Sequence, residues 1–139
     1  MHTASLPADR ASHAGAPWAV PLRHAALRLV RDGLRRTTTR VTAQCLRRVR
    51  DALGGGPLPE ALRQLDRAWR CLPEEAATFA PLYGQLLLLE GRDYYAALGL
   101  LQRSLEFGPS PDLAALVALA LLQLERAEEA CRQLQGALH

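Results

Sequence analysis

Four histidines, three cysteines, two pairs of adjacent glutamates and one run of three glycines are the residues of this 139-residue chain whose types could do chemistry. The glycine run, Gly54-Gly55-Gly56, would have to cradle a phosphate, yet Pro57 and Leu58 follow it in place of the lysine and hydroxyl that a nucleotide loop needs. His2, His13, His24 and His139 stand at or near the two ends, none paired with a candidate nucleophile or with a partner at metal-ligand spacing. His24 is expected on the surface of the first helix. Cys45, Cys71 and Cys131 are odd in number and have no close Cys or His. They read as buried structural thiols, with a reactive or bridging thiol as the alternative. Glu74-Glu75 and Glu128-Glu129 suit the positive ends of helices better than a catalytic pair. The expectation is a protein without catalysis, cofactor or metal.

Composition sets the frame for the elements that would position such residues. An apolar content of 49% in 139 residues supports one domain with a continuous core. Lysine, asparagine and isoleucine are absent while Arg, Ala and Leu abound. Those three share AT-rich codons, so a high-GC and bacterial source is expected. Met1 to Val20 is interrupted by Pro7, Asp9 and Pro17 and fits no secretory signal, which leads to a cytoplasmic expectation. The apolar run from Leu113 to Leu122 is far shorter than the roughly 18 residues of a membrane span.

Periodicity then gives seven helices and no strand. Residues 1–20 lack a pattern and are expected to form a disordered tail. Residues 21–37 form a basic amphipathic helix, with Leu22, Ala26, Leu29, Val30 and Leu34 on one face and Arg23, Arg28, Arg31 and Arg35 off it. Thr39 is the expected N-cap of the next helix, on which Val41, Cys45, Val49 and Leu53 recur until the three glycines stop it. A second helix carries Pro59 near its start and runs to about Leu72. The next starts after Thr78, with Pro81 in its first turn, and ends at Gly91. The remaining three cover about Tyr94 to Phe107, Asp112 to Leu124 with Asp112 as cap, and the stretch from Arg126 to the end.

Within this order one pattern repeats: Ala61-Leu65-Ala68-Trp69-Pro73, Ala97-Leu101-Ser104-Leu105-Pro109 and Ala130-Leu134-Ala137-Leu138, spaced by 36 and then 33 residues. The pattern resembles the tetratricopeptide repeat, a two-helix unit of about 34 residues. Small residues at its first and third landmarks let paired helices approach, and the proline closes the second helix. The resemblance implies an all-α, right-handed α-solenoid of helix-turn-helix repeats, preceded by the amphipathic N-terminal helix. Its repeat domain spans 38–139, divided at about 38–73, 74–109 and 110–139. Gly54 to Pro57 in the first copy and the missing proline in the third depart from the family pattern.

What the resemblance implies for function is protein binding without catalysis. Aligned on the landmark alanines, Phe79, Leu82, Leu86 and Leu89, with Ala115, Leu119 and Leu122, would line an apolar concave groove for a partner peptide or amphipathic helix. Paired Asn and Lys, with which some family members grip a C-terminal carboxylate, are absent. The competing reading is that these residues are buried by neighbours, since Leu86 to Leu89 is apolar on every side, with the N-terminal helix lying in or capping the groove. Leu134 and Leu138 would face a further helix and form a self-association face giving a homodimer. Three settings remain open: an N-terminal module of a larger protein, for example recruiting substrate for a glycosyltransferase or hydroxylase; a free-standing adaptor or secretion-type chaperone; and an Arg-rich binder of nucleic acid or a membrane surface.

Charge bears on the last of these. Residues 1–56 carry ten Arg against three Asp, a net of +7, and residues 57–139 a net of −4. Such a segment attracts phosphates, anionic lipid or an acidic protein face. Without a nucleic-acid motif or interleaved aromatics, nucleic acid and membrane stand below a solvated face or docking onto acidic repeats.

Overall fold

The computed structural model of the protein describes residues 18–138, so the expected tail falls almost wholly outside the described residues. Those residues form seven α-helices with no strand among them: α1 Ala19–Arg36, α2 Arg40–Gly55, α3 Leu58–Cys71, α4 Ala76–Glu90, α5 Tyr94–Phe107, α6 Pro111–Gln123 and α7 Ala127–Leu138. A single 3-10 turn, Pro73–Glu75, leads into α4. The protein is all-α, and among the described residues no helix is long and apolar enough to cross a membrane.

Local chemistry explains most boundaries. Asp93 caps α5 by accepting from the Ala96 amide at 2.9 Å, and Gly108 ends it. Ser110 caps α6 by accepting from the Leu113 amide at 3.4 Å, with Pro111 at the first helical position. The cap expected at Asp112 is therefore displaced two residues upstream, and Asp112 occupies the first turn, where its charge favours the helix dipole. Gly91 ends α4 in the left-handed region at φ 78°, a conformation that favours glycine. Glu125 takes the same role after α6 at φ 60°, while the Arg126 amide reaches back to the Leu121 carbonyl at 2.8 Å. A side chain at that position stores strain that glycine would not.

Three expectations change. Thr39 does sit at the N-cap of α2, but its hydroxyl makes no capping bond. The buried face of α2 is Thr42, Leu46, Val49 and Leu53 rather than Val41, Cys45, Val49 and Leu53; Val41 is 56% exposed. Spacings of four, three and four hold one face of a 3.6-residue helix, whereas three successive fours drift round it. Thr42 escapes an apolarity search because it is polar, and it is buried at no loss because its hydroxyl donates to Glu75 at 3.2 Å. Finally, α4 starts at Ala76, so Pro81 lies inside the helix and not in its first turn. The proline withholds one amide from the Ala77 carbonyl. Ala77 is exposed, so water can take that bond.

Each helix packs on the next in the chain, and α1 also packs on α4, closing α1 to α4 into a ring from which α5, α6 and α7 continue. At the centre, α4 buries Phe79, Ala80, Leu82, Gly84, Gln85, Leu86, Leu88 and Leu89, residues that surround the helix axis. Full burial of each large apolar side chain contributes about 1.5–3 kcal/mol. Two glycines permit close approach. A Cβ at Gly84 would lie 2.9 Å from Leu101 Cγ of α5, and one at Gly33 of α1 would lie 3.0 Å from Leu46 Cδ1 of α2. Among the described residues no buried side-chain nitrogen or oxygen lacks a partner.

Candidate functional site

The residues expected to line a groove divide between two environments. Phe79, Leu82, Leu86 and Leu89 are between 0 and 4% exposed and belong to the core. As an open groove wall these four are corrected: α1 lies against α4, with the Gln85 amide nitrogen donating to the Leu22 carbonyl at 3.0 Å. The N-terminal helix thus occupies part of the surroundings that a partner would have needed. Ala115 and Leu122 of α6 are exposed and Leu119 is half-buried. Separated by four and three residues, these three form one row along α6.

A second row runs along α7. Ala127, Cys131 and Leu134 are all exposed and follow the same four-then-three spacing. Leu134 is 43% exposed, whereas its counterparts in the earlier copies, Leu65 and Leu101, are both 0% exposed. The neighbours differ: α3 packs against α4 and α5 against α6, while among the described residues α7 packs on α6. The side chain of Leu138 lies outside the described set.

The basic face is also divided. Arg23 donates to the Leu53 carbonyl at 2.7 Å, binding α1 to the end of α2, and so acts as a structural tie. Arg28, Arg31 and Arg35 are exposed along the outer side of α1.

A feature that the sequence did not signal lies between α3 and α4, an open depression of about 810 Å³ whose walls include Leu62, Arg67, Arg70, Tyr83 and Leu87. Asp66 organises it, accepting from the Tyr83 hydroxyl at 3.0 Å and pairing with Arg70. Burial, followed by the bond to Asp66, pushes the Tyr83 phenol up to about 12. Trp69 meets Tyr83 edge to face at 6.3 Å, and the Arg103 guanidinium stands 5.4 Å from the Trp69 ring centre. The cluster joins α3, α4 and α5 and has polar partners within the chain, so its chemistry is structural.

The cysteines depart from expectation as well. Cys71 and Cys131 are exposed and Cys45 is half-buried, all three as free thiols. Glu129 is held below the usual carboxylate range by its bond with Arg126, an ion pair at 2.6 Å. Among the described residues no three His, Cys, Asp or Glu side chains gather as a metal site would require. No protein-family model matches the chain, and no curated protein or solved structure matches it significantly.

Proposed function

We propose that this chain is a non-catalytic protein-binding module of the tetratricopeptide kind, and that it binds through the outer rows of α6 and α7. One observation carries the reading: the repeated leucine is buried in the first two copies and 43% exposed, as Leu134, in the third. Helical repeats gain their stability by covering one another's apolar faces, so an apolar face left exposed on such a repeat suits another chain. The burial of Ala61, Ala68, Ala97 and Ala130, at 2% exposure or less, fits the close helix pairing the pattern requires.

The first occupant proposed is a second copy of the chain. In a two-fold dimer the rows Ala115-Leu119-Leu122 and Ala127-Cys131-Leu134 would meet their own equivalents, a self-complementary contact. The test is solution mass by light scattering over a concentration series, for the wild type and for a chain carrying Leu122→Arg and Leu134→Arg. Association in the wild type and its loss in the variant support the reading. An adaptor or chaperone role, or recruitment for a larger protein, would use the same face for an amphipathic helix of a partner.

A further inference from the structure

The outer surface of α1 and α2 is the strongest charged feature outside the proposed protein-binding face. Residues 18–56 hold nine arginines against Asp32 and Asp51. Arg28, Arg31, Arg35, Arg36, Arg40, Arg47 and Arg48 are all exposed, and none of them has an ion pair among the described residues. Asp51 is engaged by Arg50 at 3.5 Å. Folding therefore presents these cations to the solvent and neutralises almost none of them. That arrangement costs self-repulsion and is relieved by a polyanion.

We propose that this α1–α2 face binds the phosphate backbone of duplex nucleic acid without reading its sequence. Motif and aromatic content weigh against nucleic acid at the level of sequence, but they bear on base recognition and on single strands. A duplex backbone asks only for outward cations at suitable spacing. Arg28, Arg31 and Arg35 lie along one side of α1, and at a 1.5 Å rise per residue their span is about 10 Å. A duplex offers one charge per about 1.7 Å of axis, so several phosphates fall within that reach. Guanidinium groups bind phosphate oxygens in pairs, which favours phosphate over a diffuse anionic field.

Two other anionic partners fit less well. A membrane surface would need an apolar face to insert, and the apolar faces of both helices, Leu22, Ala26 and Val30 on α1 with Leu46, Val49 and Leu53 on α2, are buried in the core, leaving Val20 and Val41 as single exposed apolar side chains, one on each helix. Single-stranded nucleic acid would need large aromatic platforms, and neither α1 nor α2 contains a Phe, Tyr or Trp, while Trp18 at the N-cap of α1 packs partly buried against the core.

The experiment is fluorescence anisotropy of the full chain with a labelled duplex DNA of mixed sequence, repeated with phosphatidylserine vesicles and with polyglutamate. The expected result is duplex binding that weakens by about 100-fold or more between about 50 and 200 mM salt, as release of counterions from several phosphates requires. Replacing Arg28, Arg31 and Arg35 together by Gln should weaken duplex binding at least about tenfold and reduce the salt slope by about three, since each lost contact removes about 0.9. Circular dichroism should show the same helix content, because the three side chains are exposed and have no ion pair among the described residues. Arg92→Gln, an exposed change in the turn between α4 and α5 and outside α1 and α2, should leave affinity and slope unaltered. The proposal is overturned by absence of binding at low salt, by a triple variant that binds as the wild type does, or by tighter binding to the vesicles or polyglutamate than to the duplex.

Discussion

Gln85, buried at 1% exposure in the middle of α4, donates its side-chain amide to the backbone carbonyl of Leu22 on α1 at 3.0 Å. The two residues are 63 positions apart, and their bond marks the place where the N-terminal helix closes the ring of α1 to α4. Replacing Gln85 by Met retains the bulk and removes the donor. The expected loss is about 1 kcal/mol of stability. Hydrogen exchange should quicken in α1 before it does in α5, because only α1 loses an anchor.

Leu86 and Leu122 belong to the same expected groove and should behave oppositely. Leu86 is fully buried, so Leu86→Ala should cost about 2–5 kcal/mol and Leu86→Arg should abolish cooperative unfolding. Leu122 is 49% exposed, and Leu122→Arg should alter the thermal midpoint of the monomer by no more than about 0.5 kcal/mol allows. Thermal melts at low concentration compare the two directly.

The glycines provide a paired test of helix contact. Gly84→Ala would place a Cβ 2.9 Å from Leu101 Cγ and 3.2 Å from Leu100 Cβ, and should destabilise by about 1–3 kcal/mol. Gly99 lies within α5, is exposed, and has nothing within 4 Å of a built Cβ. Gly99→Ala should therefore stabilise by about 0.5–1 kcal/mol. Denaturant midpoints for the two variants should move in opposite directions.

Tyr83 couples stability to alkaline pH. Its phenol is raised from 10.0 to about 12, first by burial and then by Asp66, so the folded chain holds this proton more tightly than the unfolded chain does. The stability this provides is complete below pH 10 and is lost as pH rises from 10 towards 12. Asp66→Asn should lower the pH at which this tyrosine ionises, by only part of the shift because burial remains. Spectrophotometric titration of the phenols, with and without the substitution, measures the change.

Where single residues decide local structure, the sequence is readable. The bounds of α5 follow from Asp93 and Gly108, and those of α1 and α3 shift by no more than about two residues, within the fraying of any helix end. The start of α4 has a weaker local signal, since the 3-10 turn at Pro73 feeds it early and moves Pro81 inside. The burial of four of the seven expected groove residues has a non-local cause. Phe79, Leu82 and Leu86 are apolar on a helix that is apolar all round, a pattern equally suited to a wall or a core. What decides between them is the packing of α1, α3 and α5 on α4, and the contact with α1, more than forty residues upstream, leaves no local trace. Arg23 and Arg28 differ in the same way, one bonded to the Leu53 carbonyl and the other open, because the neighbour that separates them lies on another helix.

The most direct test of the proposed function is the mass of the chain in solution from low micromolar to several hundred micromolar, read by light scattering. A mass rising from 15.2 kDa towards twice that value is expected for the wild type. A chain carrying Leu122→Arg and Leu134→Arg should remain at 15.2 kDa throughout with unchanged helix content. A wild type that stays at 15.2 kDa at every concentration would contradict the assignment of the α6–α7 face as a contact between copies.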